Sequence, residues 1–251
     1  MATYRGTSDS DTYTGTPDAD TIYGYPETNT PPSKVIASGL YRPLFATAPE
    51  GDTGRLFVVS QGGTIKIHNL NNPQSTPQTF LDISSKVNNN TEAGLLGFTF
   101  HPDFATNGKC YVNYTTPDRP DGTGRKQAIV EYTFDPSDLS KAPVEKTIII
   151  VNYPQQNTHH RAGWLGFDAD GLLYIATGED TVAANAQTVV NSDGSINHLG
   201  KMLRIDVRGD GFPNDDNRNY RIPTDNPTKF DNISGEMAQA SEIWAVGLRN
   251  P

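Results

Sequence analysis

The chain has 251 residues, 35% of them hydrophobic and 9% aromatic, with a net charge of −9 and an isoelectric point near 4.9. That length can bury a substantial core, and the acidic balance argues against nucleic acid or an anionic membrane surface, either of which would have to be captured against the global field. No window approaches the roughly 20 apolar residues of a membrane span; the longest apolar runs are strand-like pieces such as Ile148-Ile149-Ile150-Val151.

The first element in chain order is a repeat. Gly6, Gly15 and Gly24 mark a nine-residue period, with Asp11 and Asp20 at equivalent places in successive units. The pattern resembles degenerate calcium-binding nonapeptide repeats, and that resemblance implies Asp11 and Asp20 as Ca²⁺ ligands. Two units are too few to complete a stack of ion sites, so a polar leader is the competing reading. Thr28–Ser33, with Pro31-Pro32, reads as a linker, which divides the chain into residues 1–33 and residues 34–251. The first thirty residues have no basic start followed by an apolar segment, so no secretory signal peptide is expected in the chain as written.

From Lys34 onward short apolar runs are punctuated by turns, without helical periodicity beyond a turn or two. Arg55–Val59 and Thr64–His68 flank Gly62-Gly63. Gly94–Phe100 and Lys109–Thr115 flank Asn107-Gly108, and Gly163–Phe167 and Leu172–Thr177 flank Asp170-Gly171. Strand-turn-strand units recurring about 45 and then 63 residues apart predict an all-β fold of four-stranded propeller blades with insertions. Cys110, the single cysteine, lies in a strand pattern and reads as a core residue. His101, in His101-Pro102-Asp103, reads as turn structure. The polar stretch Asp206–Asn217 reads as a solvated insertion, since it lacks the twelfth-position glutamate and flanking helices of an EF-hand.

The most informative hairpin is the third. It places His160 just before one strand and Glu179 and Asp180 just after its partner. Antiparallel pairing would bring a carboxylate to the imidazole, fix its tautomer and stabilise its protonated form, as a general base requires. Either carboxylate could serve.

The run from His160 to Asp180, with Glu92–Phe104, Leu199–Asp206, Ile222–Pro227 and Gly247–Pro251 following in order, resembles the soluble quinoprotein glucose/sorbosone dehydrogenases. The resemblance covers about Val35 to Pro251. It implies a six-bladed β-propeller, of which this chain has room for three to four blades, and it marks the sequence as a truncated piece of a longer protein. It implies oxidation of an aldose at carbon 1 to its lactone, with pyrroloquinoline quinone (PQQ) as hydride acceptor, Ca²⁺ as a second cofactor and an external electron acceptor. His160 would be the base, Glu179 or Asp180 its partner, Glu92 a substrate contact, and Arg249 and Asn250 cofactor ligands. Where the family has glycine or asparagine this chain has Arg161 and Ala162, and Arg161 predicts obstructed substrate access. Where the family has Asp-Gly it has Glu179-Asp180. The alternative function is a non-catalytic propeller that binds protein or carbohydrate. The acidic surface and the nonapeptide pattern point to an extracellular or periplasmic protein.

Overall fold

The computed structural model describes residues 3–5, 21–23, 35–117, 125–154, 159–231, 233, 237 and 239–251. Strands β1 (Thr3–Arg5) and β2 (Thr21–Tyr23) pair in parallel with Thr3 opposite Thr21, eighteen residues apart and so two nine-residue periods. Asp11, Asp20 and the segment read as a linker lie outside the described residues.

The rest is built from three four-stranded antiparallel sheets, each a meander in chain order. The first holds β3 (Pro43–Thr47), β4 (Arg55–Ser60), β5 (Thr64–Asn69) and β6 (Gln78–Asp82). The second holds β7 (Leu95–Phe100), β8 (Lys109–Thr115), β9 (Arg125–Thr133) and β10 (Val144–Tyr153). The third holds β11 (Ala162–Phe167), β12 (Leu173–Thr177), β13 (Met202–Ile205) and β14 (Ile243–Ala245). Only short helices interrupt them, among them α1 (Phe104–Asn107) and α2 (Ala183–Gln187). Each of the three hairpins read from the sequence is present. The sheets form part of a propeller and do not close into a ring, so a count of six blades remains an expectation from resemblance.

Period-two alternation makes these strands two-faced, and the faces stack blade on blade. Between the first and second sheets lie Phe57, Phe80, Phe98, Phe100, Phe104 and Phe134. Phe57 meets Phe100 edge-on at 4.9 Å, and Phe80 stacks on Phe134 at 4.3 Å. Cys110 is fully buried in this seam. Between the second and third sheets lie Ile129, Ile149, Val151, Leu165, Leu173 and Ile175.

The first strands of the blades, β3, β7 and β11, converge on the channel beside Trp164. There β7 and β11 meet at backbone distance: a Cβ on Gly97 would lie 1.9 Å from the Gly163 carbonyl oxygen. No side chain fits at that point, which is why glycine occupies it. His101 behaves as turn structure, its Nδ1 accepting the Asp103 N–H at 3.0 Å.

Candidate active site

The β11–β12 ladder sets the site. Ala162 pairs with Thr177, so the residues before β11 and after β12 emerge side by side. A Cβ on Gly178 would fall 1.6 Å from the His160 carbonyl oxygen. The two backbones are therefore in contact, and only glycine lets them approach so closely. Tyr153 closes the arrangement from β10. Its hydroxyl accepts the Gly178 N–H at 3.0 Å, donates to Gln127 Oε1 at 2.6 Å and lies 3.3 Å from the Arg161 carbonyl.

Within this frame His160 Nδ1 lies 3.0 Å from Glu179 Oε1, with the two side chains 13% and 8% exposed. A carboxylate on Nδ1 makes that nitrogen the N–H donor and leaves the Nε2 lone pair as acceptor. The His160 backbone N–H donates to Glu92 Oε2 at 2.7 Å, across from the second blade. Glu92 is itself held from the first blade, because Gln61 Nε2 donates at 2.7 Å to both Thr91 and Ala93 carbonyls. Arg42 adds bonds to the Asn89 and Thr91 carbonyls. All three blades thus contribute to the position of one histidine.

The chain end completes the rim. Glu179 N–H donates to the Arg249 carbonyl at 2.9 Å, and Gly247 and Leu248 N–H groups donate to Ala186 and Gly200 carbonyls. Asn250 Oδ1 accepts the Ala162 N–H at 2.6 Å. The Arg249 side chain is 72% exposed, with Nε 3.9 Å from Glu179 Oε1. An exposed guanidinium fork beside the imidazole suits a planar ligand bearing carboxylates. Lys201, fully buried beneath the rim, donates from Nζ to the Asn185, Ala186 and Leu199 carbonyls. Burial lowers its ammonium to about 8.

His160, Glu179, Glu92, Arg249 and Asn250 are brought together. Asp180 is not: it turns inward and pairs with Arg161 Nη1 at 2.9 Å, both side chains wholly buried. Of the two carboxylates, only Glu179 faces the imidazole. The expected obstruction by Arg161 is also corrected, because its guanidinium lies under the rim over the Tyr153 ring, 4.2 Å from the centroid. The reason in both cases is backbone handedness. His160, Ala162, Asp180 and Thr181 have φ of 53°, 54°, 59° and 61°, left-handed values that cost a non-glycine residue about 1 kcal/mol each and redirect the side chains from simple alternation.

Tyr153 and Gln61 escaped the reading of the sequence. Their roles come from hydroxyl and amide groups reaching another blade, for which no local pattern exists. Among the described residues no group of three or more His, Cys, Asp or Glu converges to hold a metal. Within the Asp206–Asn217 stretch, Asp206 pairs with Arg208.

Comparison with known proteins gives a consistent picture. The Glucose / Sorbosone dehydrogenase family model matches residues 42–251. The Hedgehog-interacting protein of Mus musculus is 30% identical over 223 residues, covering 86% of this chain and 30% of its own length. Quinoprotein glucose dehydrogenase B of Acinetobacter calcoaceticus is 27% identical over 237 residues, covering 87% of this chain and 44% of its own. The chain therefore spans less than half the length of these curated relatives. Among solved structures, the soluble aldose sugar dehydrogenase from Escherichia coli in the apo-form superposes with a TM-score of 0.59 at 27% identity, over 83% of this chain and 52% of that one. With the family model running from Arg42 to the last residue, this chain belongs to the glucose/sorbosone dehydrogenase family.

Proposed function

We propose that this chain carries the catalytic base of a quinoprotein sugar dehydrogenase that oxidises an aldose at carbon 1 to its lactone. The observation that carries this reading is the His160–Glu179 pair at 3.0 Å, set at the rim beside the exposed Arg249 guanidinium. His160 Nε2 takes the proton of the anomeric hydroxyl, while the carbon 1 hydrogen leaves with its electron pair and the C–O bond becomes the lactone carbonyl. Glu179 holds the Nδ1 proton and offsets the charge that develops on the ring. Glu92 anchors the His160 backbone and presents a carboxylate oxygen to sugar hydroxyls. When bound, PQQ supplies the hydride acceptor, and Arg249 and Asn250 are the residues here that would hold it, Arg249 through a carboxylate. Ca²⁺ and the external electron acceptor belong to the proposal through resemblance alone.

The likeness to a protein named for interacting with Hedgehog favours a second reading, a propeller that binds protein or carbohydrate without catalysis. One experiment separates them. The protein is supplied with PQQ and Ca²⁺, and reduction of an electron-accepting dye is followed with a panel of aldoses, beside His160→Ala. Sugar-dependent reduction lost in the mutant supports the dehydrogenase. A folded protein that binds no quinone and reduces nothing leaves the binding module. An extracellular or periplasmic location accords with either reading.

A further inference from the structure

We infer that Arg161 and Asp180 are positioning residues that aim His160 through a buried ion pair on the opposite side of the same ladder. The inference rests on the reading of His160 as the base. Residues 160 and 161 leave one strand as 179 and 180 leave its neighbour, so two pairs form in succession across the gap. His160 and Glu179 face the rim, and Arg161 and Asp180 face the seam between the second and third blades.

Three features separate this second pair from an incidental salt bridge. Both of its side chains are wholly buried at 2.9 Å, where a charge is retained only if it is matched. The Arg161 guanidinium also lies on the Tyr153 ring, and the Tyr153 hydroxyl takes the Gly178 N–H next to Glu179. The pair therefore touches the group that fixes the other strand end. Finally, Asp180 occupies left-handed backbone at φ 59°, between Glu179 and Thr181, where glycine would be unstrained. An aspartate there faces its partner only because Arg161 is opposite. The two residues form one unit, and each is unfavourable without the other.

A brace of this kind predicts compensation in stability but not in aim. Replacing Asp180 alone takes the carboxylate from beside the buried Arg161 guanidinium, and replacing Arg161 alone takes the cation from beside the buried Asp180 carboxylate. Exchanging both, as Arg161→Asn with Asp180→Gly, removes the two charges together and gives the left-handed position its preferred residue.

The test uses Asp180→Asn, Arg161→Asn and the double variant Arg161→Asn/Asp180→Gly, with the His160 ring followed by heteronuclear NMR in protein without quinone. Its resonances are assigned by their loss in His160→Gln. In Asp180→Asn the ring loses its single tautomer, and kcat for aldose-dependent dye reduction falls about tenfold or more with KM within about threefold, as misaimed catalytic groups require. In the double variant stability recovers, because both charges of the pair are gone, whereas the ring, with its brace removed, still has no single tautomer and kcat stays about tenfold or more below the parent. An unchanged His160 ring in Asp180→Asn overturns the inference, as does a double variant whose ring and kcat match the parent's. Should the single variants fail to fold, the double variant decides by the same ring signature. A parent protein that reduces no dye with any aldose sinks the dehydrogenase reading, and the NMR arm still decides whether the ion pair aims the imidazole.

Discussion

The two seams between blades are built from opposite materials. The first is a stack of phenylalanines, from Phe57 through Phe80 and Phe98 to Phe134, in edge-on and stacked contact. The second has an apolar middle, but its end beneath His160 is polar, with Gln127, Tyr153, Arg161 and Asp180 all buried. Burying polar groups contributes little net stability, because each bond made replaces one to water, whereas aromatic burial is strongly stabilising. The first seam therefore holds the blades together, and the second spends part of its area on fixing directions. Its hydrogen bonds run to the backbone at Gly178 and Arg161, the neighbours of Glu179 and His160.

The division of labour can be broken at several points, and the largest effect is expected at the rim. His160→Ala lowers kcat for aldose oxidation by about 10²–10⁴-fold while leaving the melting temperature close to that of the parent, as measured by dye reduction and thermal unfolding on one preparation. Phe80→Ala does the reverse: it removes about 3–5 kcal/mol of stability, read by urea unfolding, and leaves activity per folded molecule intact. Equal loss of activity and stability in both variants would erase the distinction between the seams.

Tyr153→Phe sharpens it. The ring and its contact with Arg161 stay, but the Gly178 N–H and Gln127 Oε1 lose their partner, costing about 1–3 kcal/mol. Activity falls further than this stability loss explains, which kcat measured well below the melting temperature would show.

The smallest effect concerns a polar cluster away from the rim. Glu242 accepts from Tyr220 and from Arg218 and lies 3.2 Å from His198 Nε2. Burial alone would raise its carboxyl, but the bonds from His198 and Tyr220 prevail and hold it well below the usual value of 4.5. The folded form thus binds its proton more weakly than the unfolded chain does. Its stabilisation is complete above about pH 4.5 and is lost as pH falls further, by on the order of 1 kcal/mol. Glu242→Gln flattens this acid limb in denaturation curves taken between about pH 3 and 6, without moving the pH profile of kcat.

Much of the fold was legible because a hairpin is a local object. Alternating apolar residues around Gly62-Gly63, Asn107-Gly108 and Asp170-Gly171 specify strand, turn and strand within about fourteen to twenty-two residues. The pairing of His160 with a carboxylate followed from the same register. The choice between Glu179 and Asp180 did not, because it depends on left-handed backbone at His160 and Asp180, and neither residue type announces that conformation. Nor could the sequence show that Arg161 turns beneath the rim, since its partner lies nineteen positions away and its ring platform, Tyr153, on another blade. Short β14, three residues after a long connection from β13, carries too little pattern to be read alone.

The backbone contact between Gly97 and Gly163 has a mechanical meaning for the rim. The Gly163 carbonyl lies against Gly97 and the Leu96 side chain against Gly163, so β11 can shift little against β7 there. His160 lies three residues from that point, and its link to Glu92 crosses from one blade to the other. A methyl group at position 97 would lift one strand off the other and swing the imidazole away from Glu92. The smallest residue on the channel wall thus governs the alignment of the rim above it.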